Sequence, residues 1–176
     1  GGLIFNSTTI ALPKLFEERL NLITSNAWNF TVMASSVYAI ASMAQIGAGF
    51  AVDKFSAKKL MLGLVGAQCL IFILVAYADG YILFILSLLG MCFVFGQIPI
   101  IDTILTRYVP DSYRGRIFSL KYLLNLGVGA MAIPMIAYFH NWGGGFTSLF
   151  QVLGISALAI FLFAASLPKT ASQDNL

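Results

Sequence analysis

Charge is what this sequence has least of. Asp, Glu, Lys and Arg make up 10% of its 176 residues, against about 25% in an average soluble domain. That scarcity excludes a disordered chain, a nucleic-acid-binding domain and an ordinary soluble enzyme. Histidine occurs once, at His140, and cysteine twice, at Cys69 and Cys92. Both cysteines lie inside apolar runs, in no metal-binding or redox spacing, and read as small core residues. There is no His-Glu-x-x-His and no pair of intramembrane aspartates, so an intramembrane enzyme would lack its metal or its acid pair. No Gly-x-x-x-x-Gly-Lys-Ser/Thr loop is present, so this chain does not itself hydrolyse ATP. No cofactor and no metal is expected. No basic stretch precedes the first apolar run, which speaks against a signal peptide.

Apolar residues fill the space that charge leaves. They make up 59% of the chain, and the mean hydropathy is +0.89. A buried core needs far less than this, so the surface is apolar too, and its partner is a lipid bilayer. Uncharged runs cover 20–52, 60–78, 80–101 and 141–168, and between 117 and 139 the only charge is Lys121. A helix crosses a bilayer core of about 30 Å in about 20 residues. The runs therefore predict an all-α, polytopic bundle with spans at about 28–52, 60–78, 81–105, 117–139 and 146–167. The opening stretch, 1–13, is uncharged but covers only about 20 Å as a helix. The chain also starts with Gly1-Gly2 and not with Met. A helix cut at its start accounts for both facts and gives a first span over about 1–15; a re-entrant helix is the alternative. The expected organisation is a six-helix bundle over 1–168 and a tail over 169–176.

Basic residues in short loops mark the cytoplasmic side. Lys54, Lys58, Lys59, Arg107, Arg114, Arg116, Lys121 and Lys169 fall on one side of the expected bundle, and only Lys14 and Arg19 on the other. The 53–59 loop, the 106–116 loop and the C-terminus are thus expected in the cytoplasm, in a plasma membrane such as the bacterial inner membrane. The 14–27, 79–80 and 140–145 loops are expected outside.

The loop after the second span carries Gly49, then Asp53-Lys54, Ser56 and Lys58-Lys59. A glycine lets a neighbouring helix come close. An aspartate can accept from helix N-terminal amides. The lysines can meet carboxylates and anionic headgroups. This resembles the loop signature of the major facilitator superfamily, Gly-x-x-x-Asp-Arg/Lys-x-Gly-x-Arg/Lys-Arg/Lys. Gly49, Asp53, Lys54, Lys58 and Lys59 match it, while Ser56 stands where the family has glycine. Asp102, Arg107, Pro110, Arg114, Gly115 and Arg116 resemble the family's stretch between the fourth and fifth helices of a half. The resemblance implies the C-terminal half of a twelve-helix transporter, partnered by a missing N-terminal six-helix half or by a second half-length chain. It implies alternating access to a central site, coupling to protons, and a cavity lined by the first and fourth helices with the second and fifth beside them.

Polar groups inside spans normally face protein or water. The 28–52 segment carries Thr31, Ser35, Tyr38, Ser42, Gln45 and Gly49 at spacings of 4, 3, 4, 3 and 4. That is one stripe along a helix, with Val32, Val37 and Ile40 expected opposite it. Tyr38 and Gln45 are its candidate solute contacts; helix packing through small residues is the rival for the rest. Asn6 and Thr9 share a face of the first helix, and Pro13 is expected to kink or end it. Gln97 precedes Pro99, and Tyr122, Asn125 and Gly129 form a further stripe, with Pro134 able to kink that helix. Asn6, Thr9, Tyr38, Gln45, Gln97, Tyr122 and Asn125 are therefore the candidate cavity residues. Asp102 is expected in a cytoplasmic gate network with Arg107 and Lys54 or Arg114, and Lys121 is expected to snorkel to the headgroups. His140 is expected in an outward loop beside a glycine-rich turn. The function these residues point to is secondary active transport of a small organic solute. A structural or assembly membrane protein is the alternative, against which the long polar stripe argues.

Overall fold

The computed structural model describes residues 2–20, 27–142 and 144–166. The expected tail over 169–176, with Lys169, lies outside the described residues. Among the described residues seven helices follow one another: α1 (Gly2–Arg19), α2 (Ala27–Lys54), α3 (Ala57–Tyr77), α4 (Gly80–Tyr108), α5 (Asp111–Ala130), α6 (Ala132–Trp142) and α7 (Gly145–Ser166). Among the described residues there is no strand. Five segments are long and apolar enough to cross a membrane: α2 from Trp28, α3, α4, α5 joined to α6 up to Asn141, and α7. Glycines close two of the connections. Gly80 (φ 59°) turns the chain into α4, and Gly144 and Gly145 (φ 86° and 70°) turn it into α7, a backbone region that side chains with a Cβ rarely adopt.

α1 sits at the centre and touches α2, α4, α5, α6 and α7. Its buried residues, Ile4, Ser7, Thr8, Ala11, Leu12, Leu15 and Phe16, recur at three- and four-residue steps, which is one helix face. Pro13 lies inside α1, and the helix continues to Arg19. The expected end at Pro13 is corrected by what satisfies the backbone there. Proline has no N–H for the carbonyl four residues earlier, which belongs to Thr9. The Tyr38 hydroxyl of α2 donates to that carbonyl at 2.7 Å.

The α2 seam also departs from expectation. Phe30, Ala34, Val37, Ala41 and Val52 are buried, and Ala44 and Ala48 lie against Gly96 of α4. Val37 is therefore core rather than opposite to it. The polar stripe runs one residue further on, about 100° around the helix. Thr31 and Ser35 are exposed, while Tyr38, Ser42, Gln45 and Gly49 are half-buried. Alanine and glycine let helix backbones approach closely, so the small residues make the contact and the polar row borders it.

The span over 111–141 breaks at Met131. Pro134 cannot donate to the Ala130 carbonyl, and its ring crowds that carbonyl. The chain tightens instead, with the Met131 amide bonding the Val128 carbonyl at 3.2 Å. α6 then packs on α7 and α1, whereas α5 has no buried residue.

Each end of the bundle is fastened by a cation on helix carbonyls. At one end Arg19 donates to the carbonyls of Ala76 (2.9 Å) and Ala78 (3.2 Å) and to the Thr147 hydroxyl (2.6 Å). Its Nε lies 3.8 Å from Asp79. At the other end Lys58 donates to the Ala165 carbonyl of α7 at 2.8 Å. Cations suit helix C-termini, where carbonyls lack partners.

Candidate functional site

Three elements bring polar side chains together inside the bundle. On α3, Gln68 is 1% exposed, and on α4, Gln97 is 4% exposed. The Gln97 amide donates to the Gln68 carbonyl oxygen, as buried amides in an apolar setting must. On α5, Lys121 pairs with Asp102 of α4. Both side chains are about one-third exposed or less, at 27% and 31%. The Lys121 ammonium also stands 5.6 Å from the Phe118 ring centre and 5.2 Å from that of Tyr122, within cation–π range.

A cavity of about 220 Å³ opens among these groups. Its polar lining is Gln68, Gln97, Lys121, Tyr122 and Asn125, and its apolar walls include Ile4, Phe5, Val94, Ile98 and Ile101. An adjoining groove of about 520 Å³ shares Gly2, Ile101, Lys121 and Asn125 with it. α1, α3, α4 and α5 thus meet around one space.

Gln97, Tyr122 and Asn125 are the sequence candidates that line this cavity. Asn6, Thr9, Tyr38 and Gln45 do not. The reasons for the first three are local. Asn6 donates to the Gly2 carbonyl at 2.9 Å and faces Gly129, where an added Cβ would lie 2.7 Å from its nitrogen. Thr9 bonds back to the Phe5 carbonyl at 2.7 Å. Tyr38 serves the carbonyl that Pro13 frees. Gly2 likewise abuts Asn125, so α1 and α5 run in parallel and cross through two glycine–asparagine contacts.

The expected network around Asp102 is corrected as well. Its partner is Lys121, which turns to the carboxylate instead of snorkelling away. Arg114 pairs with Asp111 at 2.7 Å, one turn away on its own helix, and donates to the Thr106 carbonyl at 3.0 Å. Arg107, Lys54, Lys59, Arg116 and Asp53 are exposed, and none forms an ion pair with a described residue. An added Cβ at Gly49 would meet nothing within 4 Å, so no described helix uses the close approach it offers. Ser56 caps α3 at φ −60°, which needs no glycine. His140 lies within α6, not in a loop, with Nδ1 3.5 Å from Glu18.

Sequence reasoning missed Gln68 and Arg19. Gln68 carried a signal, being the one amide within 60–78. Arg19 carried none beyond its charge.

A sequence description of the Major Facilitator Superfamily matches residues 2–175. The chain belongs to the Major Facilitator Superfamily. No curated protein and no solved structure matches it. As a facilitator it is a multi-pass membrane protein of a transporter family. Its all-α build and long apolar helices accord with that membership.

Proposed function

We propose that this facilitator chain moves a small organic solute by secondary active transport, through alternating access and coupled to protons. It supplies the C-terminal six-helix half. The other half comes from an upstream segment or from a second half-length chain, and the solute passes between the two as they rock. The basic end of the bundle, with Lys54, Lys58, Lys59, Arg107, Arg114 and Arg116, faces the cytoplasm of a bacterial inner membrane. Asp53 and its neighbouring lysines act at that face, where contacts with the other half form in one state only.

The observation that carries this reading is the cavity. A lysine, a tyrosine and three amides converge there, in walls otherwise apolar. Polar groups inside spans are costly unless they serve one another or a solute. Among the described residues, Asp102 is the acid paired with Lys121.

The test is uptake into proteoliposomes by the native protein, with and without an imposed pH gradient, across a panel of organic acids, amines, amino acids and sugars. Concentrative uptake of one class that collapses with the gradient is expected. Absence of uptake for every class would sink the transport reading. Uptake indifferent to the gradient would remove the protons and leave transport standing. An intact mass of the native product near twice 19.1 kDa would mean an upstream half, and one near 19.1 kDa would mean pairing with a second half-length chain.

A further inference from the structure

The charge lining the cavity has one sign. Among the described residues that line it, Lys121 is the charged one, and Asp102 is not part of the lining. The carboxylate meets the ammonium from α4. A lysine ammonium has three N–H donors, and one goes to Asp102. The flanking Phe118 and Tyr122 rings stabilise the cation but do not replace an anionic acceptor. Ile4, Phe5 and Val94 also line the space, and the remaining polar groups are neutral.

A bonded charge in a low-dielectric site attracts an opposite charge more strongly than it would in water. A cationic solute would meet like charge at Lys121. A polyhydroxylated neutral solute would find few partners on the apolar walls. A dianion would need more than one cation, and the one present is shared with Asp102. The space beside Lys121, about 220 Å³, is below the roughly 300–1,000 Å³ of pockets that take drug-sized ligands, and it adjoins the groove of about 520 Å³. Small size, one negative charge and an apolar body are what this space complements.

We infer that the solute is a small organic monocarboxylate whose negative group binds Lys121 and whose apolar body rests on Ile4, Phe5 and Val94. Asp102 is then an internal counter-ion, occupying the ammonium when no solute does. This assignment rests on the transport reading given above.

The test is thermal melting of the full native protein in detergent micelles with three matched series. They are propionate, butyrate and benzoate, then their amides, then the corresponding amines. The carboxylates are expected to raise the melting midpoint with concentration, and the amides and amines to leave it unchanged. Lys121→Gln should abolish the carboxylate response, and Lys121→Arg, which keeps the charge, should retain it. Asp102→Asn should tighten carboxylate binding by about tenfold, because it removes the competing anion and leaves a cation in need of one. Amides or amines that stabilise as well as the carboxylates would overturn the assignment while leaving transport intact. So would an unchanged carboxylate response in Lys121→Gln. Stabilisation by none of the three series would overturn it too, and gradient-driven uptake of other solutes then decides the transport reading separately.

Discussion

The Tyr38 hydroxyl donates to the Thr9 carbonyl at 2.7 Å, four residues before Pro13. Proline removes the donor this carbonyl would have had, and in a membrane no water replaces it. A tyrosine on α2 thus makes good a vacancy in the α1 ladder and ties the two helices together. Removing the hydroxyl in Tyr38→Phe should cost about 1 kcal/mol of stability. In a Pro13→Ala background, where the substituted alanine supplies its own N–H to the Thr9 carbonyl, the same change should cost close to nothing. Unfolding of the four proteins of this cycle in detergent checks it. Equal costs in both backgrounds would dissociate Tyr38 from Pro13.

Arg19 joins three helices at one end. Its guanidinium reaches the end of α3, the turn into α4 and the first residues of α7. Arg19→Ala should lower unfolding stability by about 3 kcal/mol, the range for hydrogen bonds from a charged group. Arg19→Lys should recover less than half of that, because an ammonium lacks the planar fork that spans several acceptors. Melting midpoints measured without solute separate this from any effect on binding.

Two glycines on α5 should respond differently. At Gly129 a methyl group would lie 2.7 Å from the Asn6 amide, whereas at Gly127 it would meet nothing within 4 Å. Gly127→Ala should stabilise by up to about 1 kcal/mol through helix propensity. Gly129→Ala should lose that gain, because the Asn6 side chain must leave its bond to Gly2. A Gly129→Ala protein as stable as Gly127→Ala would mean that α1 and α5 do not cross there.

Asp53 is exposed and forms no ion pair with a described residue. Asp53→Asn should therefore insert and melt like the wild type, within about 0.5 kcal/mol. Under the proposed gate role its transport rate should nevertheless fall. Reconstituted uptake at matched protein density checks this. A wild-type rate would remove Asp53 from the gate.

The helices were legible because charges punctuate the apolar runs, and membrane-crossing length needs little more than such spacing. The cavity was legible only in part. Gln97 and Asn125 stood out as amides in apolar surroundings, and both line the space. Asn6, Thr9 and Tyr38 stood out on the same ground, yet each is taken up by a backbone carbonyl. A side chain's polarity does not reveal whether its partner is a solute or a neighbouring turn. The α2 seam was missed because alanine sends no signal, although Ala34, Ala41, Ala44 and Ala48 make the contact that the polar row does not. The pairing of Asp102 with Lys121 joins residues nineteen positions apart across two helices. No local spacing could choose Lys121 over Arg107 or Arg114.

The break at Met131 has a mechanical result. Above it, α6 is bedded against α7; below it, α5 buries nothing and leans on α1. What draws α5 toward α4 is the bond from Lys121 to Asp102. One wall of the cavity is therefore latched by an electrostatic clasp instead of being cemented by packing. Packing yields only to forces that unfold a helix bundle. A clasp yields to an ion that offers either partner a better match, and under the proposed assignment the solute itself is that ion.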